Sequence, residues 1–353
     1  MAIIAFGFAF VGCKDTNTHT HEWEWIITTE ATNIVDGLET ETCISCGKTQ
    51  GTRTIPYIGN LDASFFELID NTSYRVISDR DVDPPDEVYI PSKYNGLPVT
   101  EIGRSSDSAP GGAFSNRTNI LAVHIPSSVT SIGQYAFSRC TSISNITIPE
   151  NVTIIGTGAF QSTGIENIRI PSSVTTIGRG VFAATKITSI EIPANVITIE
   201  GNPFPNCQNL TSIIVNENNP NYMSEGAILY NKIKTEIVAF PSASGNVTIP
   251  SGITTIASGA FSSTSITSLE IPASVTTIGS QAFASCTSII NITIPIGVLF
   301  IGSYAFSGWT ESQTIYISKY KNQTEADEAW WDVEWDGPAW RYNCEANIYY
   351  QGL

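Results

Sequence analysis

The stretch IPSSVTTIGRGVF, Ile170–Phe182, sets a proline directly after an apolar run and carries no carboxylate, histidine or cysteine. Close copies recur as IPSSVTSIGQYAF from Ile125, IPENVTIIGTGAF from Ile148, IPASVTTIGSQAF from Ile271 and IPIGVLFIGSYAF from Ile294. Pro126, Pro149, Pro171 and Pro193 stand 23, 22 and 22 residues apart; after an interruption Pro250, Pro272 and Pro295 resume at 22 and 23. A fixed period in this range specifies a solenoid, whose units bury their apolar faces only by stacking on their neighbours.

With each proline as zero, apolar residues recur at −6, −3, −1, +3, +6, +10 and +11, as in Ile187, Ile190, Ile192, Val196, Ile199, Pro203 and Phe204. The −3/−1 pair has the period of a strand with one buried face, so position −2 points outward. Proline cannot donate to a sheet ladder and fixes φ, so it ends that strand at the same place in every coil. Val and Ile at +3 and +6, followed by a frequent Gly at +7, predict a second short extended segment and a bend. Ala-Phe at +10/+11 supplies core filling on a short helical turn. Position +14 reads Cys140, Thr163, Thr185, Cys207, Thr264 and Cys286, a column for a small side chain with a weak donor. With stacked coils ~4.8 Å apart, Cys140 and Cys207 are roughly 14 Å from one another, too far for a disulfide. These thiols are expected to be buried and structural.

The 353-residue chain is 42% hydrophobic but only 14% charged, against roughly 25% in an average soluble chain. Ile, Thr and Ser make up the difference and favour strands. The net charge of −16 offers no basic face for phosphate, which argues against a nucleic-acid partner. The N-terminal MAIIAFGFAFVG is too short to span a ~30 Å hydrocarbon core and reads as the apolar region of an export signal. FVGC, ending at Cys13, resembles a bacterial lipobox, which implies acylation of Cys13; the alternative is a leader removed on export.

The pattern L/I-x-x-I-x-I-P-x-x-V-x-x-I-G-x-x-A-F-x-x-C resembles the leucine-rich repeat of BspA-like bacterial surface proteins, over about Asp62 to Ser318. It shares that family's Ile and Pro where the common leucine-rich repeat has Leu and Asn. The implied fold is mainly β: a leucine-rich-repeat solenoid with short helical turns, an N-terminal β-hairpin cap and a C-terminal aromatic cap. Residues 1–13 form the export signal or lipobox remnant, 14–60 a small His/Cys module and linker, 61–318 the solenoid and 319–353 the cap. FFELIDNTSYRVISD has the look of a hairpin capping the first coil, and YIPSKYNGLPVTEIG of an entry repeat. Between about residues 216 and 246 the period breaks, and two strand-like runs, Ala227–Tyr230 and Thr235–Phe240, predict a hairpin projecting from one coil. The tail holds Trp330, Trp331, Trp335 and Trp340, read as indoles packed over the last coil or, alternatively, as a glycan-stacking surface. Trp330 and Trp331 with Ala326 and Ala329 suit a short helix.

The chain has three histidines, His19, His21 and His124, and lacks G-x-S-x-G, H-E-x-x-H and phosphate-cradling motifs. No catalytic site is expected. Cys43-x-x-Cys46 has zinc-knuckle spacing, and His19 or His21 would complete a structural zinc site; a Cys43–Cys46 disulfide competes in an oxidising exterior. The residues that vary between otherwise matching coils stand at −2: Tyr89, His124, Thr147, Arg169, Glu191, Ile214, Thr248, Glu270, Thr293 and Tyr316. They are flanked at −4 by Asn145, Asn167, Ser189, Ser268 and Asn291. Ten rungs make a face roughly 45 Å long, large enough for a protein partner, and solenoids use concave faces in this way. The expectation, carried by the resemblance, is a cell-surface adhesion protein that binds host extracellular-matrix or cell-surface proteins, lipid-anchored at the outer membrane or secreted. The alternatives are a glycan-binding module acting through the Trp-rich tail and a purely structural envelope protein.

Overall fold

The computed structural model describes residues 23–29, 37–43, 48–55, 61–78, 82–104, 112–241, 243–329, 339–341 and 343–351. Near the N-terminus, Trp23–Thr29, Gly37–Cys43 and Thr49–Ile55 form a three-stranded antiparallel sheet. From Leu61 onward the chain winds into stacked coils.

Most coils contribute two short parallel segments; before Pro149 and Pro171 the chain follows the same path without forming a strand. The first precedes the proline, as in Ser189–Ile192 and Asn291–Ile294, and its alternating exposed and buried residues match the one-sided pattern of the sequence. The second lies at +5/+6: Ser131–Ile132, Ile154–Ile155, Thr176–Ile177 and Thr198–Ile199 pair in parallel register. Thr255–Ile256, Thr277–Ile278 and Phe300–Ile301 do the same after the interruption. In every one of these coils the proline carbonyl accepts a hydrogen bond from the +3 amide, for example Val174 N to Pro171 O at 3.1 Å and Val275 N to Pro272 O at 3.0 Å. Proline thus ends the strand and accepts the turn bond.

The +7 glycines are needed for a different reason than a bend. A Cβ on Gly156 would lie 2.8 Å from the nitrogen of Gln134, and one on Gly279 would lie 2.5 Å from that of Ser258. Backbone of the preceding coil fills the space, so only glycine fits. The Ala-Phe segments take the form of consecutive i→i+3 turns, such as Ala136 N to Gly133 O and Cys140 N to Phe137 O. Left-handed residues at +9 and +13, for example Tyr135 (φ 52°) and Arg139 (φ 61°), keep these turns from continuing as helix.

The core is a ladder of like on like. Phe114, Phe137, Phe160, Phe182 and Phe204 are fully buried and stack with centroids 5.5, 5.6, 5.8 and 5.9 Å apart. Phe261, Phe283 and Phe306 continue the pattern at 5.5 and 5.7 Å. At +14 the thiols hydrogen-bond the carbonyl of the preceding coil's phenylalanine: Cys140 to Phe114, Cys207 to Phe182 and Cys286 to Phe261, each 2.9 Å. In the last regular coil Trp309 stands at +14, and its indole N–H makes the same bond to Phe283 O at 2.9 Å.

The interruption does not project. It forms three strands, Tyr222–Glu225, Ile228–Asn231 and Glu236–Ala239, paired antiparallel, and the last pairs in parallel with Thr255–Ile256. Leu229, Tyr230, Ile237 and Val238 are buried, and a hairpin standing clear of the coils would leave them in water. The Tyr222 hydroxyl accepts from Ile199 N at 2.8 Å, tying the insertion to the end of the first +5/+6 ladder. Across the same junction Arg179 extends over Gly201 and Gly259 and donates to the Gln281 side-chain oxygen; burial lowers its pKa.

Both ends are capped. Phe66–Ile69 and Ser73–Val76 form the expected antiparallel hairpin, turned by Asp70 (φ 48°) and Asn71 (φ 58°), a pair suited to a type I′ turn. Phe65 extends the phenylalanine stack, 6.4 Å from Phe114. At the other end Gln323–Ala329 is a helix that buries Ala326, and Trp340, fully buried, sets its edge on Phe306 at 6.3 Å and 88°. The ladder also runs past the expected boundary at residue 318, because Asn347–Tyr350 pairs in parallel with Thr314–Ile317. Among the described residues no helix is long and apolar enough to cross a membrane.

Candidate functional site

The −2 residues form an outward column along the strand ladder. Register places Tyr89 beside His124, Glu191 beside Ile214, Thr248 beside Glu270, and Thr293 beside Tyr316. Thr147, Arg169, Glu191, Ile214, Thr248, Glu270 and Thr293 are exposed; Tyr89, His124 and Tyr316 are half-buried. The column comes in two segments. After Ile214 the edge of its strand is met by the insertion, with Ile213 N bonded to Gly226 O and Val215 N to the Ser224 hydroxyl. Thr248 opens the second segment.

What separates this column from the other polar columns is hydrogen bonding. At +2, Ser128, Asn151, Ser173, Asn195 and Ser274 each donate to a carbonyl of the preceding coil at 2.7–2.8 Å. At +4, Thr130, Thr153, Thr175, Thr254 and Thr276 do the same at 3.2–3.3 Å. Those side chains join coil to coil. In contrast, Thr147, Glu191, Thr248, Glu270, Thr293 and Tyr316, with flanking Asn145, Asn167, Ser189, Ser268 and Asn291, make no side-chain hydrogen bond among the described residues. Arg169 pairs with Glu150, both exposed, a contact of small energetic weight. Aromatic pairs close the column at both ends: Tyr89 stacks on His124 at 4.1 Å, and Tyr316 on Tyr349 at 5.7 Å.

A model of the BspA type leucine-rich repeat region matches residues 108–234 and 230–328, in 6 copies. The chain belongs to this family. No curated protein matches it. Among solved structures it is similar to a leucine-rich repeat protein from Eubacterium ventriosum ATCC 27560, at 29% identity and TM-score 0.59 over 72% of this chain and 69% of that one. It is also similar to a leucine-rich repeat protein from Bacteroides ovatus ATCC 8483, at 20% identity and TM-score 0.45 over 81% and 66%. A leucine rich cell surface protein from Faecalibacterium prausnitzii A2-165 shows 23% identity and TM-score 0.44 over 83% and 94%.

In this BspA-type protein the column has a member that the repeat period misses. Tyr349, 55% exposed, lies beside Tyr316 in register. No proline follows its strand, where Gln351 stands instead, so the only signal is the alternation in NIYY. Trp340, one of the four indoles assigned to a glycan-stacking surface, is buried in the core and unavailable for that role. Trp330, Trp331 and Trp335 lie outside the described residues, as do Cys13, His19, His21, Cys46 and the side chain of Cys43, on which the lipidation and zinc expectations rest.

The +14 thiols are buried, as expected from the spacing. Burial pushes Cys140 from 9.0 up to about 12 and raises Cys207 and Cys286 as well. Because the thiolate is the nucleophile, DTNB at pH 8 is expected to leave all three unmodified in the folded protein, with modification of any one by peptide mass mapping the contrary result. A raised folded-state pKa favours the protonated form. The associated stability is therefore complete below pH 9 and is lost as pH rises toward about 12; an alkaline series of melting curves checks the sign.

Proposed function

We propose that this BspA-type protein is displayed on the bacterial cell surface, lipid-anchored through Cys13 or secreted, and binds host extracellular-matrix or cell-surface protein through its outward strand face. The observation that carries this reading is the contrast in hydrogen bonding. Polar side chains at +2 and +4 and the thiols at +14 hold coil to coil, whereas Thr147, Glu191, Thr248, Glu270 and Thr293, with flanking Asn145, Asn167, Ser189, Ser268 and Asn291, leave their donors and acceptors to solvent. A preformed face of this kind binds without the ordering cost that a flexible loop incurs. The first segment holds the chemistry suited to a protein partner, with Arg169, Glu191 and the 54% exposed Ile214 on neighbouring rungs. Membership of the repeat family supports a binding scaffold, and the face offers no nucleophile–base pair.

The triple substitution Arg169→Ala, Glu191→Ala and Glu270→Ala is expected to abolish saturable binding to immobilised fibronectin or fibrinogen. The melting temperature should stay put, because none of the three side chains is buried. Binding that persists in the triple variant would overturn the assignment.

A further inference from the structure

We propose that the second segment of the strand face is a binding site for neutral polysaccharide, centred on the stacked pair Tyr316 and Tyr349. This deepens the outward-face reading by assigning a ligand chemistry to one part of that face. Three strands, Asn291–Ile294, Thr314–Ile317 and Asn347–Tyr350, align two outward columns in register: Thr293, Tyr316 and Tyr349, beside Asn291, Thr314 and Asn347. The two phenol rings stack at 5.7 Å and 29°. Tyr349, 55% exposed, belongs to the last strand of that ladder, so its outer ring face ends the stack. A pyranose ring has an apolar C–H face that seats on such a ring, with its hydroxyls left at the edge for polar partners.

Those polar partners are present and available. Asn291 and Thr293 make no side-chain hydrogen bond among the described residues. Asn347 donates its amide N–H to Glu311 O at 2.7 Å, which fixes the side chain and leaves its carbonyl oxygen outward. Amide and hydroxyl groups repeat from rung to rung at ~4.8 Å, a spacing that suits the successive hydroxyls of an extended saccharide chain.

Charge and apolarity narrow the ligand further. The outward positions of this segment from Asn246 to Tyr349 hold one charged side chain, Glu270, and no aliphatic one. A polyanionic saccharide would meet that carboxylate and a chain of net charge −16. The aliphatic side chains exposed beside this segment, Ile290 and Ile296, stand at its edges outside the two columns, unlike Ile214, which stands within the column of the first segment.

Affinity electrophoresis of the full chain in gels containing mixed-linkage β-glucan, galactomannan, xylan or heparin tests this. Retardation is expected by at least one neutral polysaccharide and not by heparin. Tyr316→Ala and Tyr349→Ala should each weaken the apparent affinity about fivefold, from the loss of one stacking contact. Tyr349→Phe should keep most of it, and Ile233→Ala, on the exposed turn of the insertion, should keep all of it. Matched melting curves, with the near-isosteric Tyr349→Phe, separate lost contact from lost fold. No retardation by any neutral polysaccharide, equal retardation of both alanine variants and wild type, or retardation by heparin alone would each overturn the proposal. The triple variant of the preceding section retains both tyrosines, so protein capture that persists in it overturns only the protein-binding assignment, whereas polysaccharide binding that is absent from the full chain or indifferent to the tyrosine variants overturns only this one.

Discussion

Phe182→Ala is expected to destabilise the solenoid by about 4 kcal/mol, in the range for truncating a fully buried aromatic ring. Phe182 is 0% exposed and lies between Phe160 at 5.8 Å and Phe204 at 5.9 Å, so its removal takes away two stacking contacts as well as burial. The cavity cannot close easily, because backbone hydrogen bonds fix the coils above and below: Phe160 N to Val181 O and Phe182 N to Pro203 O, both 2.9 Å. Chemical denaturation checks the size of the effect, with exposed Thr147→Ala, at less than about 0.5 kcal/mol, as the reference. A loss below about 1 kcal/mol would mean that the neighbouring coils collapse into the space and that the ladder is less rigid than its geometry indicates.

Gly279→Ala should cost about 3 kcal/mol, although it adds one methyl group. Its Cβ would sit 2.5 Å from the nitrogen of Ser258 in the preceding coil. Backbone, unlike the end of a flexible side chain, has nowhere to move without breaking Gly279 N to Ile256 O, 2.8 Å. Gly252→Ala is the matched control: nothing stands within 4 Å of its Cβ, and its φ is not in the left-handed region. That substitution should be neutral or stabilise by about 0.5 kcal/mol through the unfolded chain. Equal effects at the two positions would contradict coil contact as the reason for the +7 glycine.

These two variants mark the boundary between what could be read and what could not. Period, core and the direction of each side chain were legible in the sequence, because a solenoid repeats one local solution and each position's chemistry is averaged over many copies. Phe182, Val174 and Ile177 announce themselves by recurring. The +14 thiols were equally plain, since Cys alternates there with Thr as a small donor to a phenylalanine carbonyl, of the preceding coil for Cys and of its own coil for Thr163 and Thr185. The ends and the interruption were harder, for the same reason. Residues 222–239 occur once, and two strand-like runs look alike whether they project or dock; only the need to bury Leu229, Tyr230, Ile237 and Val238 against coils on either side settles it.

The outward strand face divides in the same way. The sequence by itself determined that position −2 points away from the core and which residues stand there, because strand period leaves no other choice. Tertiary structure alone decided three further things. The insertion divides the column after Ile214; Tyr349, far outside the repeat, lies beside Tyr316; and Trp340, polar-tailed and conspicuous in the sequence, is core. Each depends on which non-repeating segment meets which coil, a matter of long-range packing that a local period cannot encode.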